Sequence, residues 1–159
     1  MSQKLLDDLK IEVIERAKAD LKAKDGILPK FFVFKHGQLA IIGAPFSNET
    51  EKDAVAEVVR DVAQDADFVI FVSEVWSLSD AEGSKDFMEN RSKYPGGVQD
   101  HPKAVEKVMI HVETANGGVE MGTATILADR EMADVEWTKM DNYKGRFSSF
   151  ITTSKKVFH

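Results

Sequence analysis

The stretch Asp67-Phe-Val-Ile-Phe-Val-Ser-Glu-Val-Trp-Ser-Leu78 decides the fold. As an extended strand it points Phe68, Ile70, Val72 and Trp76 to one side, and Val69, Phe71 and Val75 to the other. Both sides are apolar, so the strand belongs in the middle of a sheet with cover on each face. Glu74 interrupts the run between Val72 and Trp76. A carboxylate there needs a partner, a proton or an opening to water, because burying it bare is costly.

Upstream, residues 3–24 read as an amphipathic helix. Leu6, Leu9, Val13, Ala17 and Leu21 recur at steps of three and four, Leu5 and Ile14 widen the stripe, and Asp25-Gly26 is a stop. Phe31–Phe34 and Leu39–Ile42 flank Lys35-His-Gly-Gln38, a hairpin in which Gly37 supplies the positive φ. Pro45 ends the second of these strands. Asn48 with Glu51 has capping-box spacing and opens a second helix, whose stripe is Val55, Val58, Val59, Val62 and Ala66.

Downstream, residues 79–102 form a polar stretch with one helical turn around Lys85–Arg91 and the turn-forming Tyr94-Pro-Gly-Gly97. Val105–Thr114 and Val119–Asp129 are strands joined by Ala115-Asn-Gly-Gly118, a strong hairpin signal. From Asp134 the tail carries Trp137, Tyr143, Phe147 and Phe150 and supplies one more strand or an extended cover. The chain therefore predicts a single α+β domain over residues 1–159. Its mostly antiparallel sheet has five or six strands and two long helices on one face, in the order α-β-β-α-β-loop-β-β-(β). The opposite face of the central strand then needs the aromatic tail or a second copy of the chain.

Composition removes several chemistries. There is no cysteine, which excludes disulfides, thiolate metal sites and cysteine nucleophiles. The net charge of −6 argues against broad contact with phosphate backbones. The stretch Met1-Ser-Gln-Lys-Leu-Leu-Asp-Asp8 has no signal-peptide pattern, and no apolar run reaches the roughly 20 residues of a membrane span. A soluble, cytoplasmic protein is the expectation.

Four groups of residues invite a chemical reading, each with a plainer alternative. Glu74 is either a general acid or base at the open end of its strand or the partner of a structural Arg or Lys. Ser73 points to the other face and is no nucleophile for it. His111 and Glu113 share a strand face with Met109. With Asp100 and His101 upstream they sketch a two-histidine, carboxylate metal site, or else they line the solvent side of a strand buried through Val108, Ile110 and Val112. The charged stretch 79–102 is a lid, a partner-binding loop or a surface crossover. In the tail, aromatics interleaved with Lys139, Lys144, Arg146, Lys155 and Lys156 could stack single-stranded bases, or pack in a core or dimer interface. Neither Gly96-Gly97 nor Gly117-Gly118 is a phosphate cradle, because no helix start or Lys-Ser/Thr follows either pair.

Phe71-Val-Ser-Glu-Val-Trp76, then Asp100-His-Pro-Lys103 and the strand Glu106–Val112, resemble uncharacterised prokaryotic and phage proteins. In these a strand ends in Ser-Glu-Ala-Trp and a His-Pro element leads into the next strand. Val75 stands at the alanine position here, and Lys103 where an acidic residue is expected. The resemblance covers roughly residues 65–130. It implies no activity, but places Glu74, Trp76, His101 and Pro102 together at one end of the sheet.

These readings converge on a non-catalytic accessory or interaction protein that forms homo-oligomers, with no cofactor, no metal and no membrane contact. The alternative is a small hydrolase or ligand-binding enzyme using Glu74 and His101 under the 79–102 loop. A third reading is single-stranded nucleic-acid binding through the C-terminal tail.

Overall fold

In the computed structural model, residues 3–44, 48–78, 80–140 and 150–151 are described. The doubly apolar stretch forms β3 (Phe68–Ser77), flanked by β1 (Lys30–Lys35) and β4 (Val105–Thr114), both antiparallel to it. β2 (Gln38–Gly43) lies outside β1, while β5 (Val119–Thr125) and β6 (Glu136–Met140) lie beyond β4. The result is a six-stranded antiparallel α+β sheet in the order β2-β1-β3-β4-β5-β6. The β1–β2 hairpin turns through His36 (φ 53°) and Gly37 (φ 74°), the two positive φ values of a type I′ turn. β5 is shorter than its apolar run, which continues as an isolated bridge between Ile126 and Met132.

The two long helices, α1 (Gln3–Leu21) and α2 (Glu49–Val62), lie on opposite faces of the sheet, not on one. Leu6, Val13, Ala17 and Leu21 of α1 pack on Phe32, Phe68, Ile70, Val72 and the even positions of β4. Ala56 and Val59 of α2, with Ala63 and Ala66 just after it, pack on Phe31, Val33, Val69 and Phe71. The reason is topological. β2 and β3 are both antiparallel to β1 and hence parallel to each other, so α2 is a crossover that must traverse one face. α1 precedes that unit and takes the other face.

Phe150 completes the α2 face. It is fully buried, with its ring edge-on to Phe31 at 5.4 Å, and Phe31 stacks on Phe71 at 4.4 Å. Both faces of β3 are covered from Phe68 to Ser73, while Trp76 near its end is 44% exposed. Of the other tail aromatics, Trp137 is half-buried against the α1-side core. Tyr143 and Phe147 lie outside the described residues.

The buried stripe of α2 is rotated from the expected one. Val59 and Ala66 are buried as expected, but Val58 is exposed and Val55 and Val62 are half-buried, while Ala56 and Ala63 face inward and let the helix approach the aromatic β1–β3 surface. Asn48 caps α2 as its spacing predicts, accepting the Glu51 N–H at 2.8 Å. Residues 80–104 hold α3 (Ala81–Glu89) and two 3-10 turns, Arg91–Lys93 and Val98–Asp100, the second packed on β3. No described helix is long and apolar enough to cross a membrane.

Candidate functional site

Glu74 lies on the α1 face of β3, opposite Val108 of β4. One carboxylate oxygen accepts the Ile27 N–H at 2.6 Å, and the other accepts from Arg130 Nη2 at 3.0 Å. Arg130 also donates from Nη1 to Glu106 at 2.6 Å and from Nε to the Leu21 carbonyl at 3.0 Å. That carbonyl is one of the acceptors a helix C-terminus leaves open, so Arg130 joins the end of α1 to β3 and β4. The hydrogen bond that Arg130 donates to Glu74, then the charges of Glu74 and Glu106, raise the Arg130 pKa above its ordinary value. Gly26 (φ 65°) passes so close that a Cβ there would sit 2.3 Å from the Glu74 oxygen. Only glycine fits both that backbone and that gap. The corner is thus a closed structural ion-pair network, the plainer of the two readings of Glu74.

His101 belongs to a separate cluster. Its ring is buried and its Nδ1 accepts the Lys103 N–H at 3.0 Å, which leaves Nε2 to donate to Asp86 Oδ2 at 2.9 Å. The same Asp86 oxygen accepts the Tyr94 hydroxyl at 2.6 Å, and Asn90 donates to the other at 2.8 Å. The Tyr94 hydrogen bond, followed by that from His101, lowers the Asp86 pKa, and the Tyr94 pKa is raised by the bond it donates to Asp86. Tyr94 also lies against the His101 ring at 4.8 Å. With both imidazole nitrogens engaged, His101 has no free lone pair for a proton relay or a metal. The cluster ties α3, through Asp86 and Asn90, to Tyr94 and His101.

Glu74 and His101 therefore sit toward the same end of the sheet without meeting. No described hydrogen bond, ion pair or ring contact joins them.

His111 and Glu113 share the α2 face of β4, yet that face is buried, so the solvent-side reading fails. Glu113 accepts the N–H groups of Phe150 at 3.0 Å and Ile151 at 2.7 Å, anchoring the returning tail. Burial pushes the His111 pKa down to about 4, which keeps the ring neutral near pH 7. His101 is held apart in its own cluster, and among the described residues no three His, Asp or Glu converge as a metal site.

Open space lies elsewhere. A cleft of about 480 Å³ separates the start of α1 from the β4–β5 hairpin, lined by Gln3, Asp7, Lys10, Thr114 and Lys139. It sits at the far end of β4 from His101, and Lys10 there is paired with Glu120 and lies over the Trp137 ring.

The exposed apolar side chains Leu39 and Ile41 form a different feature. Both stand on the α1 face of β2, 42% and 51% exposed, and no described strand pairs with the outer side of β2. Their sequence signal was the charge-free run Gln38-Leu-Ala-Ile-Ile-Gly43 in a chain that is 30% charged. Nothing in the sequence pairs Arg130 with Glu74 or Asp86 with His101, since those contacts span 56 and 15 residues. No protein-family model matches this chain, and neither the curated proteins nor the solved structures yield a match to it.

Proposed function

We propose that the chain is a non-catalytic interaction protein that forms homo-oligomers, an accessory protein of the prokaryotic or phage cytoplasm. One observation carries this reading. Exposed apolar side chains and a strand edge with no described strand beyond it occur together at β2. The polar residues that could do chemistry are spent on structure: Glu74 on Arg130 and the Ile27 N–H, His101 on Asp86 and the Lys103 N–H. An enzyme built on Glu74 and His101 would need both groups facing one cavity with bonding capacity to spare.

Nucleic-acid binding through the tail loses one of its aromatic platforms, because Phe150 is fully buried. Sedimentation velocity over a wide protein concentration range tests the reading. A discrete dimer or higher oligomer growing with concentration is expected. A strict monomer throughout would remove self-association.

A further inference from the structure

Each described strand except β2 carries at least one Lys or Glu. Outer strands are ordinarily guarded against edge-to-edge pairing by charge, proline or a bulge. β6, the other outer strand, has Glu136 and Lys139, whereas Gln38–Gly43 has none of these guards. In a chain of net charge −6, β2 is the outer strand whose own side chains set no charge against a second copy, with Glu12 and Arg16 of α1 lining the groove beside it.

The backbone says how a copy would fit. A type I′ hairpin makes Lys35 and Gln38 a hydrogen-bonded pair, so residues 38, 40 and 42 turn their N–H and C=O toward β1. The Ala44 N–H donating to the Pro29 carbonyl at 2.8 Å continues the same parity. Leu39, Ile41 and Gly43 therefore present their backbone groups outward. A twofold axis perpendicular to the sheet pairs such an edge with itself only where partners share parity, as antiparallel neighbours must share a face.

Resting on the interaction reading above, we infer that two copies join β2 to β2 antiparallel, about a twofold through Ala40. Leu39 of each copy stands opposite Ile41 of the other as a hydrogen-bonded pair, and the two sheets become one. This register sets two Leu–Ile pairs on the α1 face, above the groove that α1 leaves along Leu9, Val13 and Phe32. Sliding the axis to Ile41 would set Leu39 against Gly43, which has no side chain to pack. Ala40 falls in a non-hydrogen-bonded pair, where the Cα atoms approach to about 4.5 Å.

The absence of native cysteine makes a direct test clean. Ala40→Cys, oxidised mildly, should form a disulfide-linked dimer, because that spacing falls within the roughly 4.4–6.8 Å a disulfide needs. Sedimentation velocity on Ile41→Lys should show self-association weakened by roughly tenfold or more. Leu39→Lys serves as a second such variant, and circular dichroism checks that both fold.

A wild-type dimer that neither lysine variant weakens, and that Ala40→Cys does not cross-link, places the interface elsewhere. That outcome overturns this inference and leaves the interaction reading standing. Cross-linking through Ile41→Cys in place of Ala40→Cys overturns the register. A wild-type monomer at every concentration overturns both readings, and slow hydrogen exchange at the Leu39 and Ile41 amides would then mean that the chain covers its own edge.

Discussion

The Glu74 corner and the β2 edge reverse the usual places of charge and grease. At the corner, charged groups lie partly inside, with Glu74 21% and Arg130 39% exposed, and every one is bonded to a named partner. At the edge, Leu39 and Ile41 lie outside with no described strand beyond them. A conspicuous carboxylate in an apolar strand draws attention because an unpaired one would be costly. Here each of its two oxygens already accepts a bond, one from Arg130 and one from the Ile27 N–H, and that holds it in a structural role. The uncharged edge, unremarked by any motif, keeps its capacity open.

Substitutions can break this contrast from either side. The largest effect belongs to Gly26→Ala, which forces a side chain into left-handed backbone and pushes Glu74 off its partners. Urea denaturation should show a loss of about 3–4 kcal/mol, from the backbone strain and the bonds given up. A loss within error of zero would mean that the corner is looser than its distances indicate.

Acidification acts on the buried side of the same contrast through His111. Its folded pKa, about 4, lies below the ordinary 6.5, so the unfolded chain takes up the proton first as pH falls. The contribution is intact above 6.5 and is lost on the way down to about 4, by about 3 kcal/mol. Glu113 and Lys107 share that strand face, so the readout is the difference between the wild-type and variant profiles. His111→Leu should flatten the pH dependence of unfolding between those limits, and parallel wild-type and variant profiles would contradict the assignment.

A smaller effect is expected for Glu74→Gln. The amide keeps an acceptor for the Ile27 N–H but turns its NH2 toward Arg130, so the Arg130 bond goes with the charge while Arg130 retains Glu106. The pair is partly exposed, so about 1–2 kcal/mol is the expected loss, short of the penalty for breaking a fully buried pair. A loss above that would show the corner to be drier than its exposure suggests.

Smallest of all is Ile41→Lys, which should change unfolding free energy by about 0.5 kcal/mol or less at low protein concentration, since the side chain is already half in water. If it destabilises the isolated chain strongly, Ile41 is core after all and the open edge disappears from the comparison.

Much of the fold was legible in the chain because the signals are local. The alternation in 67–78 placed β3 mid-sheet, His36-Gly37 and Asn116-Gly117 marked the hairpins, and Asn48 with Glu51 marked the start of α2. The face taken by α2 was not legible. Its valines outnumber its alanines, and the buried stripe turned out to run through Ala56, Val59 and Ala63. Which side of a helix is inward depends on what it meets, and here it meets Phe31 and Phe71, against which Ala56 and Ala63 pack beside Val59.

By itself the sequence determined the strands, their turns, the α+β class and the oddity of Glu74, all consequences of neighbours a few residues apart. Tertiary structure alone decided that Arg130 closes the Glu74 corner, that Asp86 and the Lys103 N–H use up His101, and that β2 is left at an edge. Pairings over such separations are set by sheet order and loop closure, and no short-range pattern encodes them.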